Sequence, residues 1–161
     1  MRSQAWGVAV LSVLALSGCG MLPDIGWAPQ PAAPPAPAAA KAMPAAYSVD
    51  KLVGNWGVAS YRVEKDRKRI EAKAKEQCKL PFVIKKGPTD GVLMHVADDP
   101  DVHELTLKGA ADGKTYLGFA GPPGDTQDLE ILSMTDNMFT ARYVDPDTDA
   151  RFGTLIYARC K

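Results

Sequence analysis

The side chains in this chain best suited to metal or proton chemistry are two histidines, His95 and His103, with Glu104 beside the second. They flank Asp98 to Asp101, a run of turn-forming residues. A hairpin turn centred on Asp99-Pro100 sets His95 opposite His103 in one register and opposite Glu104 in the adjacent one. Two imidazoles and a carboxylate are a zinc- or copper-type ligand set. The plainer reading is a pair of exposed strand residues, and no metal or other cofactor is expected. Asp145-Pro146-Asp147-Thr148-Asp149 opens like a calcium loop, but Ala150 and Ile156 stand where that loop needs glycine and glutamate. It reads as a solvated turn. No Gly-x-Ser-x-Gly, His-Glu-x-x-His, phosphate-loop or dinucleotide motif occurs. Three cysteines remain, Cys19, Cys78 and Cys160, and an odd number in an exported chain needs an explanation.

Cys19 follows a segment with the makings of an export signal. Met1-Arg2 is a small positive start, and Gly7 to Leu16 is an apolar run too short to span a bilayer. The quartet Leu16-Ser17-Gly18-Cys19 resembles the lipobox of bacterial lipoproteins. That resemblance implies that residues 1–18 are a signal peptide and that Cys19 receives a diacylglyceryl thioether. It also implies that the new amino terminus is acylated, with palmitate as a typical chain. At ~0.8 kcal/mol per buried methylene, two or three acyl chains give stable anchoring. Gly20, rather than Asp, implies export to the outer membrane, with the domain in the periplasm. Lipidation leaves Cys78 and Cys160 in an oxidising compartment, where they are expected to pair across a loop of about 80 residues, worth up to ~4.5 kcal/mol. With both held in a bridge, no thiol nucleophile is left, and an enzyme is not expected.

The chain carries 19 basic and 19 acidic residues. Without a basic surplus, nucleic acid is not an expected partner. The partners implied are the membrane, through the lipid, and an envelope protein or a small apolar ligand. Residues 19–46 read as the lipidated cysteine and a tether. From Ala28 to Ala46, sixteen of nineteen residues are Ala or Pro. Such a segment has little to bury and favours extended polyproline structure, reaching up to ~60 Å.

Residues 47–161 hold the predicted domain. Ser48 caps a short helical turn, and 53–60 form a first strand. Residues 62–77 lack Gly and Pro and carry charges of both signs, which predicts a solvated helix with Ile70, Ala74 and Cys78 on its inward stripe. Seven strands follow, at 80–85, 91–97, 102–108, 114–120, 127–134, 137–144 and 151–160, with turn-formers between them. About eight sequential strands predict a mainly β fold, a small antiparallel up-and-down barrel with one helix inserted after the first strand. A two-sheet sandwich is the alternative.

Gly54-Asn55-Trp56, opening the first strand, resembles the Gly-x-Trp signature of the calycin superfamily, which includes lipocalins and the Inh-type protease inhibitors. The resemblance implies that Trp56 plugs one barrel end and that Arg159, from the last strand, stacks across it. The charged helix at 62–77 belongs to neither family's pattern. The function expected is an interaction module that holds a small apolar ligand or presents its rim to an envelope protein. The alternatives are an Inh-type inhibitor of envelope proteases and a structural lipoprotein without a ligand. A large apolar cavity favours a ligand, and a filled barrel favours the others.

Overall fold

A computed structural model describes residues 43–161; residues 1–18, Cys19 and the Ala/Pro stretch as far as residue 42 lie outside the described residues. The elements are α1 (Val49–Leu52), β1 (Gly54–Tyr61), α2 (Arg67–Glu76), β2 (Phe82–Lys86), β3 (Val92–His95), β4 (Val102–Gly109), β5 (Thr115–Gly118), β6 (Leu129–Met134), β7 (Met138–Tyr143), α3 (Pro146–Phe152) and β8 (Thr154–Arg159). Short 3-10 turns, Glu64–Asp66 and Gln77–Lys79, flank α2. Each strand runs antiparallel to its sequence neighbours, and β8 returns to pair with β1 from Trp56↔Arg159 to Tyr61↔Thr154. The meander therefore closes as an eight-stranded barrel, as its pattern predicts.

Alternation along the strands sends one set of side chains inward. Trp56, Met94, Leu105, Leu117, Phe139 and Tyr157 are all buried there. Phe139 and Tyr157 stack with centroids 4.1 Å apart, and Trp56 meets Phe139 edge-on at 4.8 Å. Each such side chain contributes ~1.5–3 kcal/mol when fully buried.

A second, smaller core lies outside the barrel wall. Ile70 and Ala74 of α2 pack against Ile156 and Ala158 of β8. The helix approaches β1 so closely that a Cβ on Gly57 would lie 1.8 Å from the Ala74 carbonyl oxygen. Only glycine fits there. A Cys78–Cys160 disulfide, with Cα atoms 5.5 Å apart and 82 positions between them, ties the far end of α2 to the end of β8. In the chain-entropy model a loop of that length is worth ~4.5 kcal/mol.

Several expectations need correction. The acidic turn at 145–149 is the start of a helix. Asp145 accepts from the Thr148 N–H at 2.7 Å and its hydroxyl at 2.6 Å, Pro146 supplies the first turn, and Gly153 ends the helix at φ +70°. β8 consequently begins at Thr154 rather than at residue 151. Ser48 stands at the start of α1, but its side chain makes no cap bond. The β3–β4 hairpin is centred on Asp98-Asp99, one residue earlier than Asp99-Pro100, so His95 pairs with Val102 and Met94 with His103. Asp98 takes the left-handed conformation (φ +61°) that this tighter centre requires, and aspartate tolerates it. At the amino-terminal side, Met43 bridges Gly109 and the Ala46 N–H donates to the Thr115 hydroxyl at 3.1 Å, so contact with the barrel starts before Tyr47.

Candidate functional site: the two ends of the barrel

The strands define two unlike ends. At one, the chain enters along β4 and β5, forms α1 and starts β1. Trp56 is fully buried here, and its indole N–H donates to the Leu52 carbonyl at 2.8 Å. The Arg159 guanidinium lies over the indole, its Cζ 4.1 Å from the ring centroid. Its nitrogens donate to three backbone carbonyls, Val53 at 3.0 Å, Lys51 at 2.6 Å and Asp136 at 2.7 Å. The guanidinium thus fills the donor-poor space around the helical turn while its charge rests on the ring face. Gly54 is part of the device, because a Cβ there would sit 2.6 Å from an Arg159 nitrogen. These satisfied groups close the barrel interior at this end; outside the closure, Lys75, Cys78, Asn137, Arg159, Cys160 and Lys161 line a surface recess of about 500 Å³.

The other end is open. Three loops surround it: 96–101 between β3 and β4, 119–128 between β5 and β6, and the segment from 144 through α3 to 153. Between them lies a recess of about 220 Å³. Val96, Phe119 and Tyr143 supply apolar surface, and Asp98, Gln127 and Asp145 supply polar surface. Burial pushes the Tyr143 hydroxyl above its ordinary pKa, against a backbone hydrogen bond with Ala97 that lowers it. Asp145 is held below the carboxylate range by its bonds from Thr148. Asp98 pairs with Arg151, and Arg62 donates to the Ala150 and Arg151 carbonyls, so α3 is braced from both sides.

The loop 119–128 is fixed by a pair that sequence reasoning does not find. Lys108 Nζ donates to Asp128 Oδ1 at 2.6 Å and to the Phe119 and Pro122 carbonyls at 3.0 Å each. The other Asp128 oxygen accepts the Gly124 and Asp125 N–H groups at 2.9 and 3.1 Å. Every ammonium proton has an acceptor, and Asp128 is only 1 % exposed. The pair sits on the outer face of the wall, with the loop folded over it. A Cβ on Gly118 would stand 1.8 Å from Asp128 Oδ1, so glycine makes room for the carboxylate.

The metal candidates do not converge. The His95 ring faces the Asp101 carbonyl at 3.2 Å, and His103 Nε2 meets Asp99 Oδ2 at 2.8 Å. Glu104 instead accepts the Thr89 and Gly91 N–H groups at 2.8 and 3.2 Å. The Asp101 N–H and then His103 hold the Asp99 carboxyl below its usual range, and the Thr89 N–H does the same for Glu104. Neighbouring strand positions point to opposite faces, so the observed register separates His95 from His103. Among the described residues no group of three or more His, Cys, Asp or Glu side chains is placed to hold a metal. His103 does reach the open end, edge-on to Phe119 at 5.3 Å. Compared with family models, with curated proteins and with solved structures, the chain matches none of them.

Proposed function

We propose that this chain is a lipid-anchored envelope module that binds another protein through the open end of a filled barrel. The observation that carries the reading is the contrast between the ends. The interior is occupied by the Trp56, Phe139 and Tyr157 rings and their aliphatic neighbours, and the Trp56–Arg159 end is shut. The recess at the mouth is too small to enclose a lipid-sized ligand but suits one side chain of a partner. The three loops around the recess carry Asp98, Asp99, Asp101, Asp125, Asp145, Asp147 and Asp149 with one cation of their own, Arg151, while Arg62 reaches the α3 segment from beside them. The acidic excess of the loops favours a partner with basic groups. The anchor itself rests on Leu16-Ser17-Gly18-Cys19 and its resemblance to the lipobox. A filled barrel is equally suited to an Inh-type inhibitor, and under that reading the bound partner is a protease.

A photo-crosslinking residue at Gln127, in the acylated chain and in its native envelope, is expected to yield a discrete protein adduct. The same probe at Asp112, in the β4–β5 turn of the shut end, is expected to yield none. Identification of the adduct as a protease would select the inhibitor reading. Equal labelling from both positions would sink the assignment of the mouth as the binding surface.

A further inference from the structure

The charges of the described domain are segregated. Residues 62–86, the excursion from the end of β1 to the end of β2, hold ten basic and four acidic side chains. Toward the mouth these are Arg62, Lys65, Arg67, Lys68 and Arg69 with Glu64, Asp66 and Glu71; toward the shut end they are Lys73, Lys75, Lys79, Lys85 and Lys86 with Glu76 alone. The remainder of 43–161 holds seven basic and fourteen acidic ones. Ion pairing sharpens the contrast. Lys51, Lys86, Lys108 and Lys114 each have a carboxylate partner, Asp136, Asp50, Asp128 and Glu130 respectively. Among the described residues Lys65 and Lys68 toward the mouth, and Lys73, Lys75, Lys79, Lys85 and Lys161 toward the shut end, have none, and all are exposed. Glu76 is the one carboxylate on that half of α2.

The shut-end lysines lie where the chain joins the barrel. Antiparallel α2 descends from the mouth to Cys78, whose bridge to Cys160 brings Lys161 and Lys75 to the rim of one recess. The chain then turns through Leu80, which is 86 % exposed, before β2 begins. A leucine left this open between Lys79 and Lys85 has no use inside the barrel.

We propose that this end of the domain docks on an anionic lipid surface, with Lys75, Lys79, Lys85 and Lys161 against phosphate headgroups and Leu80 entering the interface. Unpaired lysines and an exposed leucine on the end of the barrel where residues 43–46 join it are the chemistry of a membrane contact. At the shut end Asp50, Asp112 and Asp136 are paired with Lys86, Lys114 and Lys51, and Asp90 stands in the β2–β3 turn. The mouth loops at the opposite end of the strands carry seven aspartates besides the buried Asp128, and the same surface repels them. The contact therefore turns the mouth away from the lipid, toward the partner. The inference rests on the reading of Cys19 as a lipid anchor, which keeps the domain within a tether's reach of a bilayer.

The test uses the full chain carrying Cys19→Ser, which cannot be acylated, with two kinds of vesicle: phosphatidylcholine alone, and phosphatidylcholine mixed equally with phosphatidylglycerol. The apolar run 7–16 contributes to both, so the difference between them reads the charged face. The expected result is a preference for the anionic vesicles that falls as salt rises. Lys75→Ala, Lys79→Ala and Lys85→Ala together should lower that preference on the order of a hundredfold, about fivefold per lysine. Leu80→Ser should weaken binding while leaving the salt dependence in place. Lys65→Ala with Lys68→Ala, at the mouthward end of α2, should change it far less. Equal partition onto both vesicles, partition onto neither, or equal losses from the two sets of lysine variants would overturn the proposal. Failure of the anchor reading would be seen separately, in the processing of the native Cys19.

Discussion

Trp56→Ala is expected to destabilise the domain by ~3–5 kcal/mol, the range for truncating a large buried aromatic. The indole is fully buried, touches Phe139 at 4.8 Å and donates to the Leu52 carbonyl at 2.8 Å. Its loss removes the edge-to-face contact and leaves a void beneath Arg159. Arg159→Ala removes the other partner, and the carbonyls of Lys51, Val53 and Asp136 lose their donor. Those acceptors lie near the surface and can turn to water, so a smaller loss of ~1–3 kcal/mol is expected. Because guanidinium and ring are 4.1 Å apart, the double variant should lose less than the sum, by ~0.5–2 kcal/mol. Urea denaturation of the three variants with unchanged m-values checks this. Strict additivity would mean that the stacked pair does not act as a unit.

Lys108→Met is expected to cost ~3–5 kcal/mol, because it strands the Asp128 carboxylate beneath the loop that covers it. The side chains are 7 % and 1 % exposed, so water cannot replace the ammonium without unfolding the 119–128 loop. Adding Asp128→Asn should recover part of the loss, since a neutral amide no longer needs a counter-charge and can still accept from Gly124 or Asp125. If the double variant is less stable than Lys108→Met alone, the cost lies in packing and the electrostatic account fails. The loop also forms part of the mouth, through Phe119 and Gln127, so the same variant should blunt crosslinking from Gln127.

The barrel was readable because its strands alternate and its turn residues recur, and because Gly54-Asn55-Trp56 and Arg159 stand at the two ends of the domain. The inward stripe of α2 was readable from Ile70, Ala74 and Cys78. Other features depend on tertiary context. Lys108 falls on the outward face by alternation, where a lysine is ordinarily solvated, and only the folded-over loop buries it. Asp145-Pro146 reads equally well as a turn or as a helix start, since the same capping carboxylate and fixed proline φ serve both. Moving the turn centre back to Asp98-Asp99 sends His95 and His103 to different faces, and composition cannot resolve a shift of that size. The filling of the interior depends on how Phe139 slides over Tyr157, which no spacing encodes.

Both the anchored interaction module and the docking of its cationic end stand on Cys19. The mass of the mature amino terminus, measured on protein taken from the membrane fraction, tests that footing most directly. The expected mass is that of a chain that begins at Cys19 and carries a diacylglyceryl group and an amide-linked acyl chain, with Cys19→Ser accumulating as uncleaved precursor. A membrane-retained chain whose Cys19 is unmodified, or a Cys19→Ser variant processed like the native protein, would contradict it.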